Sequence, residues 1–154
     1  MDTEVILTRG SSVAEVVERL IRETTTSVDA ALYRLNNPRL ACALEDAIRR
    51  GVGVQLVLDR NKYEESRTTQ ELLANGRIPF RLLYGRQGRG TKMHHKFAIL
   101  DGRRVLTGSY NWTLESEEQN YEGLLILREP EQVAIFHREF EALWAEAAPR
   151  QPLL

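Results

Sequence analysis

Along this chain, short apolar runs typical of β-strands alternate with segments whose apolar residues have the spacing of an α-helix. Short, mostly apolar runs typical of strands occupy residues 4–8, 27–35, 52–59, 78–84 and 123–127. Between them, apolar residues at helical spacing follow Ser11 or Ser12, then Pro38, and finally Pro130. A polar segment from residue 60 leads into a further short helix that ends at Gly76. Strands that alternate with helices in this way predict an α/β domain.

The composition is that of an ordinary single globular domain and does not by itself indicate a reaction. The 154 residues fit one domain spanning 1–154, and the net charge of −1 argues against capture of nucleic acid by overall charge. Cys42 is the one cysteine, which excludes a disulfide framework, and we expect it to be a small buried residue. No apolar run approaches a membrane span, and we expect a cytoplasmic location if the chain is complete. A targeting segment removed before the first residue would change that expectation.

Residues 94–109 form two strand-like runs, HHKFAILD and RRVLTGS, joined by a turn at Asp101-Gly102-Arg103. Side chains alternate between the faces of a strand, so His94 and Lys96 are expected on one face and His95 on the other. Adjacent histidines that point apart are poor ligands for one metal ion. We therefore predict that His94 belongs to a site and that His95 packs. His137, in the last helix, is expected at the surface.

The neighbours of His94 suggest chemistry on an oxyanion. The ammonium of Lys96 favours a neutral, nucleophilic imidazole by repulsion between like charges, and it attracts a phosphate oxygen. Downstream, Ser109 and Asn111 place a hydroxyl and an amide two residues apart. Glu122, just before the last strand, is suited to orient a histidine and to stabilise its protonated form.

The pattern His94-x-Lys96-x4-Asp101, followed by Gly108-Ser109 and Asn111, resembles the signature of the phospholipase D superfamily. Residues 31–59 resemble the strand-helix-strand before that motif, and residues 120–127 resemble its acidic segment. The stretch from MHHKFAILD to LTGSYNWT is especially similar to small members with a single motif. These are bacterial Nuc-type endonucleases and mitochondrial cardiolipin hydrolase-like endonucleases. The resemblance covers nearly the whole chain.

The resemblance implies a mixed β-sheet flanked by helices, with one motif per chain, and a phosphodiesterase that uses no metal or cofactor. His94 would attack phosphorus to form a phosphohistidine. Lys96 and Asn111 would bind the phosphate with support from Ser109, and Glu122 would hold His94 through its other nitrogen. Asp101, counted among the catalytic residues, would organise the strand end or the partner motif. Because a second histidine must protonate the leaving oxygen, the resemblance implies a homodimer with a shared site.

Other basic and aromatic residues are candidates for substrate binding. Arg34 stands where many relatives carry a small polar residue, so it adds positive charge near the cleft or changes which substrates enter. The loop before the motif, GRQGRGTK, is expected to be flexible, and its basic residues are suited to hold a nucleic-acid backbone if they are not simply solvated. They are Arg86, Arg89 and Lys92. Tyr84 and Tyr110 are candidates for stacking on bases, although packing is the simpler role for each.

Three functions remain open: an endonuclease on DNA or RNA, a phospholipase D-type hydrolase of a phospholipid such as cardiolipin, and an inactive binding module. We favour the endonuclease, because the sequence has no basic amphipathic helix or exposed apolar run suited to a bilayer. A stable membrane association is therefore not expected. The inactive module is disfavoured because every expected reactive position is present.

Overall fold

The computed structural model describes residues 3–147. The strands are β1 (Glu4–Leu7), β2 (Ser27–Leu32), β3 (Gly53–Asp59), β4 (Phe80–Leu83), β5 (Lys96–Leu100), β6 (Arg104–Gly108) and β7 (Gly123–Leu127). The helices are α1 (Val13–Arg22), α2 (Pro38–Arg49), α3 (Arg60–Glu65), α4 (Arg67–Gly76), α5 (Leu114–Glu118) and α6 (Pro130–Ala147).

All seven strands form one mixed sheet in the order β1-β7-β6-β5-β2-β3-β4. The pairs β2–β3 and β3–β4 are parallel, and the other neighbours are antiparallel. Helices α1, α2 and α4 pack on one face of the sheet, and α6 packs on the other. The predicted α/β class, with a mixed sheet between helices, is therefore confirmed.

Local sequence signals account for most helix boundaries. The Ser12 hydroxyl accepts a hydrogen bond from the Glu15 amide and caps α1. Asn37 caps α2 in the same way, and Pro38 occupies the first helical position, where its missing N–H is not needed. On α6, Val133 and Phe140 are buried against the sheet as the helical spacing predicted.

Three details differ from the sequence-based expectations. Cys42 is exposed rather than buried, because Ala41 and Ala43 point inward and leave it on the outer side of α2. The polar segment after β3, for which the sequence pattern predicted no element, begins with the short helix α3, and Asp59 caps it. The loop GRQGRGTK is held by its own backbone hydrogen bonds, among them Gly85 N to Thr91 O at 3.2 Å and Thr91 N to Gly88 O at 3.0 Å.

The topology gathers the strand ends of interest at one end of the sheet. The carboxyl ends of β2, β3 and β4 meet the amino end of β5 and the carboxyl end of β6 there. Open α/β sheets bind ligands at the carboxyl ends of their parallel strands. Within residues 3–147, no helix has both the length and the apolar character needed to cross a lipid bilayer.

Candidate active site

His94 and His95 lie just before strand β5, and Lys96 is its first residue. The Lys96 Nζ donates a hydrogen bond to the His94 backbone oxygen at 2.8 Å and lies 3.2 Å from the His94 Nδ1. An ammonium can only donate, so Nδ1 accepts and the ring proton resides on Nε2. The dyad that the sequence indicated is therefore formed by direct contact in this chain.

Within one chain, the surroundings of His94 favour the neutral form of its imidazole. Although His94 is exposed as a residue, Tyr33 shields one side of its ring, with the ring centroids 4.5 Å apart. Partial burial and the ammonium groups of Lys96 and Lys92 lower the pKa of His94, and the carboxylate of Asp59 opposes this. A neutral imidazole is the form that can act as a nucleophile.

The environment of Lys96 also changes the pKa of its side chain. Partial burial lowers the pKa of its ammonium, and the carboxylate of Glu122 opposes that change. The Lys96 Nζ also lies 5.4 Å from the centre of the Tyr33 ring, in a cation–π arrangement. Lys96 thus supplies fixed positive charge between His94 and Glu122.

Asp59 positions the segment that carries His94, and the sequence pattern did not reveal this role. Its carboxylate is buried at the end of β3, where one oxygen accepts from the Met93 amide at 2.8 Å. The other oxygen accepts from the Lys62 amide at 3.0 Å and caps α3. One carboxylate therefore joins β3, α3 and the residue before His94.

Ser109, Asn111 and Glu122 form a second hydrogen-bonded group at the same end of the sheet. The buried Ser116 hydroxyl joins Asn111 to Glu122: it accepts from the Asn111 backbone N–H at 3.2 Å and donates to Glu122 Oε2 at 3.0 Å. The Ser109 hydroxyl accepts from the Gly123 amide at 3.1 Å. Within the described residues, the Asn111 side-chain oxygen is buried without a hydrogen-bond partner.

The backbone conformation and the close packing at residue 108 both require a glycine. Its φ of 148° is one that residues with side chains rarely adopt, and a Cβ there would lie 2.3 Å from the Gly123 carbonyl oxygen. Strands β6 and β7 can approach this closely only if the residue has no side chain. That approach sets Ser109 beside Gly123 and Glu122.

Glu122 does not hold His94 within one chain as the resemblance implied. Its carboxylate instead accepts from Ser116 and from the Asn120 side-chain amide, each at 3.0 Å. The His94 Nδ1 faces Lys96. Within one chain, Glu122 therefore orders the loop that carries Asn111 and balances the charge of Lys96.

Asp101 lies at the far end of β5, opposite to Lys96. Its carboxylate accepts hydrogen bonds from the amides of Thr25, Thr26 and Ser27, at 2.8–3.1 Å, and from the Thr26 hydroxyl at 3.0 Å. Burial raises the pKa of this carboxyl, but the hydrogen bonds from Thr26, Ser27 and Thr25 outweigh it and lower the pKa overall. Asp101 is thus an organiser of the strand end and is remote from His94.

We predict that Asp101→Ala lowers the free energy of unfolding by about 1–2 kcal/mol, because the exposed amides of Thr25 and Thr26 and the partly buried amide of Ser27 lose a charged acceptor. Asp101→Asn should lose less, since it keeps one acceptor and tolerates the positive φ of this position. Because the folded pKa is lowered, the carboxylate stabilises the protein above its unfolded pKa of about 3.9. This contribution is lost as the pH falls through the folded value. Denaturant unfolding at several pH values measures it, and a loss of turnover at unchanged stability would contradict it.

The other two histidines contact glutamates of α6, and His95 also lines the cleft that contains His94. The His95 Nε2 lies 2.8 Å from the Glu139 carboxylate on α6, and its ring contacts Phe97 edge-on at 5.2 Å. His95 is thus half-exposed and bound to Glu139 at the surface, whereas the sequence pattern predicted that it packs. His137 is half-exposed on α6, 3.8 Å from Glu141, which agrees with the expected surface position.

Two of the four basic residues proposed for substrate binding lie at a cleft beside His94. Arg86 and Lys92 line this open cleft of about 580 Å³ with His94 and Tyr84, and Glu139 and Glu146 line it as well. Arg89 is exposed on the loop and is not part of that lining. Arg34 donates to the Glu115 carboxylate at 3.3 Å, so its charge is partly neutralised.

Of the two tyrosines considered for stacking, only Tyr84 is accessible. Tyr110 is 1% exposed, and its hydroxyl donates to Glu117 at 2.8 Å. It is therefore a core residue. Among residues 3–147, no group of three or more His, Cys, Asp or Glu side chains is arranged to hold a metal ion.

Comparison with known proteins places this geometry in a family. The family model described as "Cardiolipin synthase, PLD-like domain" matches residues 17–144. The mitochondrial cardiolipin hydrolase of Homo sapiens is 34% identical over 143 residues, which are 93% of this chain and 55% of that protein. The Danio rerio protein of the same name is 32% identical over 139 residues, 90% of this chain and 60% of that protein. The chain thus spans little more than half the length of these relatives.

Two solved structures have the same fold as this chain. Nuc from Salmonella typhimurium, described as a phospholipase D family member, is 27% identical with a TM-score of 0.83, and the match covers 94% of each chain. NucT from Helicobacter pylori shares the fold, with a TM-score of 0.81 at 23% identity over 95% of this chain and 98% of that one. The chain belongs to the phospholipase D superfamily.

Proposed function

We propose that this protein is a phosphodiesterase that cleaves nucleic acid, as an endonuclease on DNA or RNA. The observation that carries the proposal is the contact between His94, whose pKa is lowered, and the ammonium of Lys96. His94 faces an open cleft that Arg86 and Lys92 also line, together with Glu139 and Glu146. A neutral imidazole supplies the nucleophile, and the fixed cation stabilises the charge on the phosphoryl oxygens.

In the first step His94 forms a nitrogen–phosphorus bond while the bond from phosphorus to the leaving oxygen breaks. Lys96 exchanges its contact with Nδ1 for a phosphate oxygen, and the ring proton then moves to Nδ1 so that Nε2 can attack. The leaving oxygen takes a proton from a second imidazole, which enters this step in its protonated, cationic form and leaves it neutral. In the second step that imidazole removes a proton from water, the water oxygen attacks phosphorus, and His94 departs.

The second imidazole is the His94 of another copy in this proposal. The chain has three histidines, and His95 is paired with Glu139 while His137 is paired with Glu141 at the other side of α6. His95 lines the same cleft as His94, but its Nε2 is held by Glu139, so each copy brings to the cleft one histidine whose ring is not bound to a glutamate. We propose a homodimer in which the two His94 side chains face each other across a two-fold axis.

An uncovered apolar surface supports a second copy on this side of the molecule. Helix α6 leaves the edge of the sheet at β1 and β7 open, where Val5, Leu7 and Leu125 are 59%, 53% and 36% exposed. Val5 and Leu125 are register partners and so lie on one face. Leu7 lines a small cleft with Ser109 and Glu122, next to the site.

A phospholipid such as cardiolipin is the second candidate substrate, and the curated names of the two relatives favour it. The same chemistry would act on a lipid phosphodiester. The test incubates the protein with plasmid DNA, single-stranded DNA, single-stranded RNA and cardiolipin vesicles. We expect cleavage of nucleic acid, and cleavage confined to cardiolipin would overturn the proposal. The curated names also contain the word mitochondrial, so the cytoplasmic location stays a prediction.

We predict that excess chelator leaves this cleavage intact. The positive charge that a metal ion would supply is built into the site by Lys96 and Lys92, which lie close enough to His94 to lower its pKa. Initial rates with and without chelator measure the effect, and a metal-dependent nuclease run in parallel confirms that the chelator works. Loss of cleavage that magnesium restores would contradict the phosphohistidine step.

A further inference from the structure

Helix α3 carries a lysine to the edge of the active site. The Lys62 Nζ lies 5.7 Å from the centre of the Tyr33 ring. The same ring contacts His94, at 4.5 Å between centroids, and has the Lys96 Nζ 5.4 Å from its centre. Tyr33 is thus the common neighbour of the nucleophile, the phosphate-binding lysine and Lys62. Nothing in the catalytic steps above uses Lys62.

A second cation–aromatic pair stands beside the first. The Arg60 guanidinium lies 5.5 Å from the centre of the Tyr84 ring, and Tyr84 lines the His94 cleft together with Arg86 and Lys92. Arg60 and Lys62 both belong to α3, so one short helix presents two cations to this side of the cleft.

Both cations can exchange their present partners for phosphate. Arg60 pairs with Glu64 at 3.2 Å and Lys62 pairs with Glu65 at 3.3 Å. In each pair about a third or more of both side chains is exposed to solvent, so the pairs contribute little stability. The helix itself is fixed, because the Asp59 carboxylate that caps it also holds the Met93 amide beside His94.

We propose that α3 and Tyr84 form a binding surface for the nucleic-acid strand on one side of the scissile phosphate. Lys62 and Arg60 bind the neighbouring phosphates, and the Tyr84 ring stacks on an unpaired base. The assignment rests on the proposed function and deepens it, since it names where the strand runs. Cations alternating with aromatic rings suit a chain of phosphates and bases, because each base has a face that can stack. A lipid headgroup has no aromatic base to occupy Tyr84.

The experiment compares Lys62→Gln, Arg60→Gln and Tyr84→Ala with Arg49→Gln. Arg49 is a matched control: it is exposed in a surface pair with Glu45 and lies at the end of α2 that leads to the amino end of β3, away from the site. Each protein is assayed on a long single-stranded oligonucleotide, on cardiolipin vesicles and on bis(p-nitrophenyl) phosphate, which has one phosphate and no flanking strand. Thermal melting confirms that every variant is folded.

We expect the ratio of kcat/KM on the oligonucleotide to kcat/KM on the small diester to fall about tenfold in each of the three variants, as the loss of one charged or stacking contact would give. For Lys62→Gln and Arg60→Gln, the slope of log(kcat/KM) against log salt should become shallower by about 0.7, the value for one phosphate contact on a single strand. Arg49→Gln should leave the ratio and the slope at the wild-type values.

Four outcomes would contradict either the proposed function or the proposed binding surface on α3. If the wild-type protein cleaves neither substrate, the proposed function fails. If it cleaves both and the three variants match Arg49→Gln, the binding surface on α3 is wrong. An equal loss on both substrates would show instead that α3 acts by positioning His94. A loss seen on cardiolipin vesicles but not on the oligonucleotide would assign the surface to a lipid.

Discussion

His94→Ala is expected to reduce kcat/KM by about 10⁴-fold or more while the protein stays folded, because the substitution removes the nucleophile. His94 is exposed and lies before β5, so its loss disturbs no strand pairing. Lys96→Ala should be similarly inactive, since it removes the cation that contacts both His94 and, in the proposed reaction, the phosphate. Circular dichroism checks the fold, and cleavage of a labelled oligonucleotide measures the rate.

His95→Ala is the matched control for that prediction, because it removes the same ring from the adjacent position. It should keep most of the turnover and lose less than about 1 kcal/mol of stability with the Glu139 pair. The Phe97 contact adds little to this loss because His95 is half-exposed. A wild-type rate in His94→Ala, or an inactive but folded His95→Ala, would reverse the assignment of the two histidines.

Inactive His94→Ala chains are expected to poison wild-type subunits when the two are mixed and allowed to exchange. One chain supplies one suitable histidine, while the proposed reaction needs a nucleophile and an acid, so a mixed dimer has an incomplete site. Residual activity should follow the square of the wild-type fraction, which is about a quarter for an equal mixture of freely exchanging dimers. Activity is measured across a series of mixing ratios after exchange is verified with differently tagged chains.

The control for mixing is a folded surface variant, Arg49→Gln, which should not reduce the activity of the wild-type subunits. Sedimentation measures the assembly directly. A fall in activity that is linear with the wild-type fraction after verified exchange would rule out the shared site. A fully active monomer would rule it out as well.

The fold was predictable from local sequence because its signals are local. Capping by Ser12, the proline at the start of α2 and the apolar run of β7 each involve neighbouring residues, so they can be identified before any contact is known. The motif is equally local. His94 and Lys96 are two residues apart, and the Lys96 Nζ contacts both the backbone oxygen and the Nδ1 of His94. The order of these positions along the chain was enough to indicate the family.

The residues that the sequence left unassigned reach the site through long-range contacts. Asp59 meets Met93 across 34 residues of chain, and Tyr33 meets His94 only because β2 and β5 are antiparallel neighbours. Hydrophobic periodicity cannot show such neighbours, since it reports which face is buried and not which strands adjoin. Helix α3 was not predicted for a related reason. None of its residues is buried, so it has no apolar face whose spacing could indicate a helix, and its cap is the buried carboxylate of Asp59.

The structure also decided roles that the spacing had left open. Asp101 follows Lys96 by five residues, which in a strand is a distance of about 16 Å, so the two cannot share one site within a chain. Glu122 turned to Ser116 and Asn120 because α5 and β7 place those partners nearer than His94. The sequence by itself thus indicated most of the elements, the proximity of His94 and Lys96, and the family. The tertiary structure decided which carboxylates support the site, since that depends on strand order and on which hydrogen-bond donors the fold brings within reach.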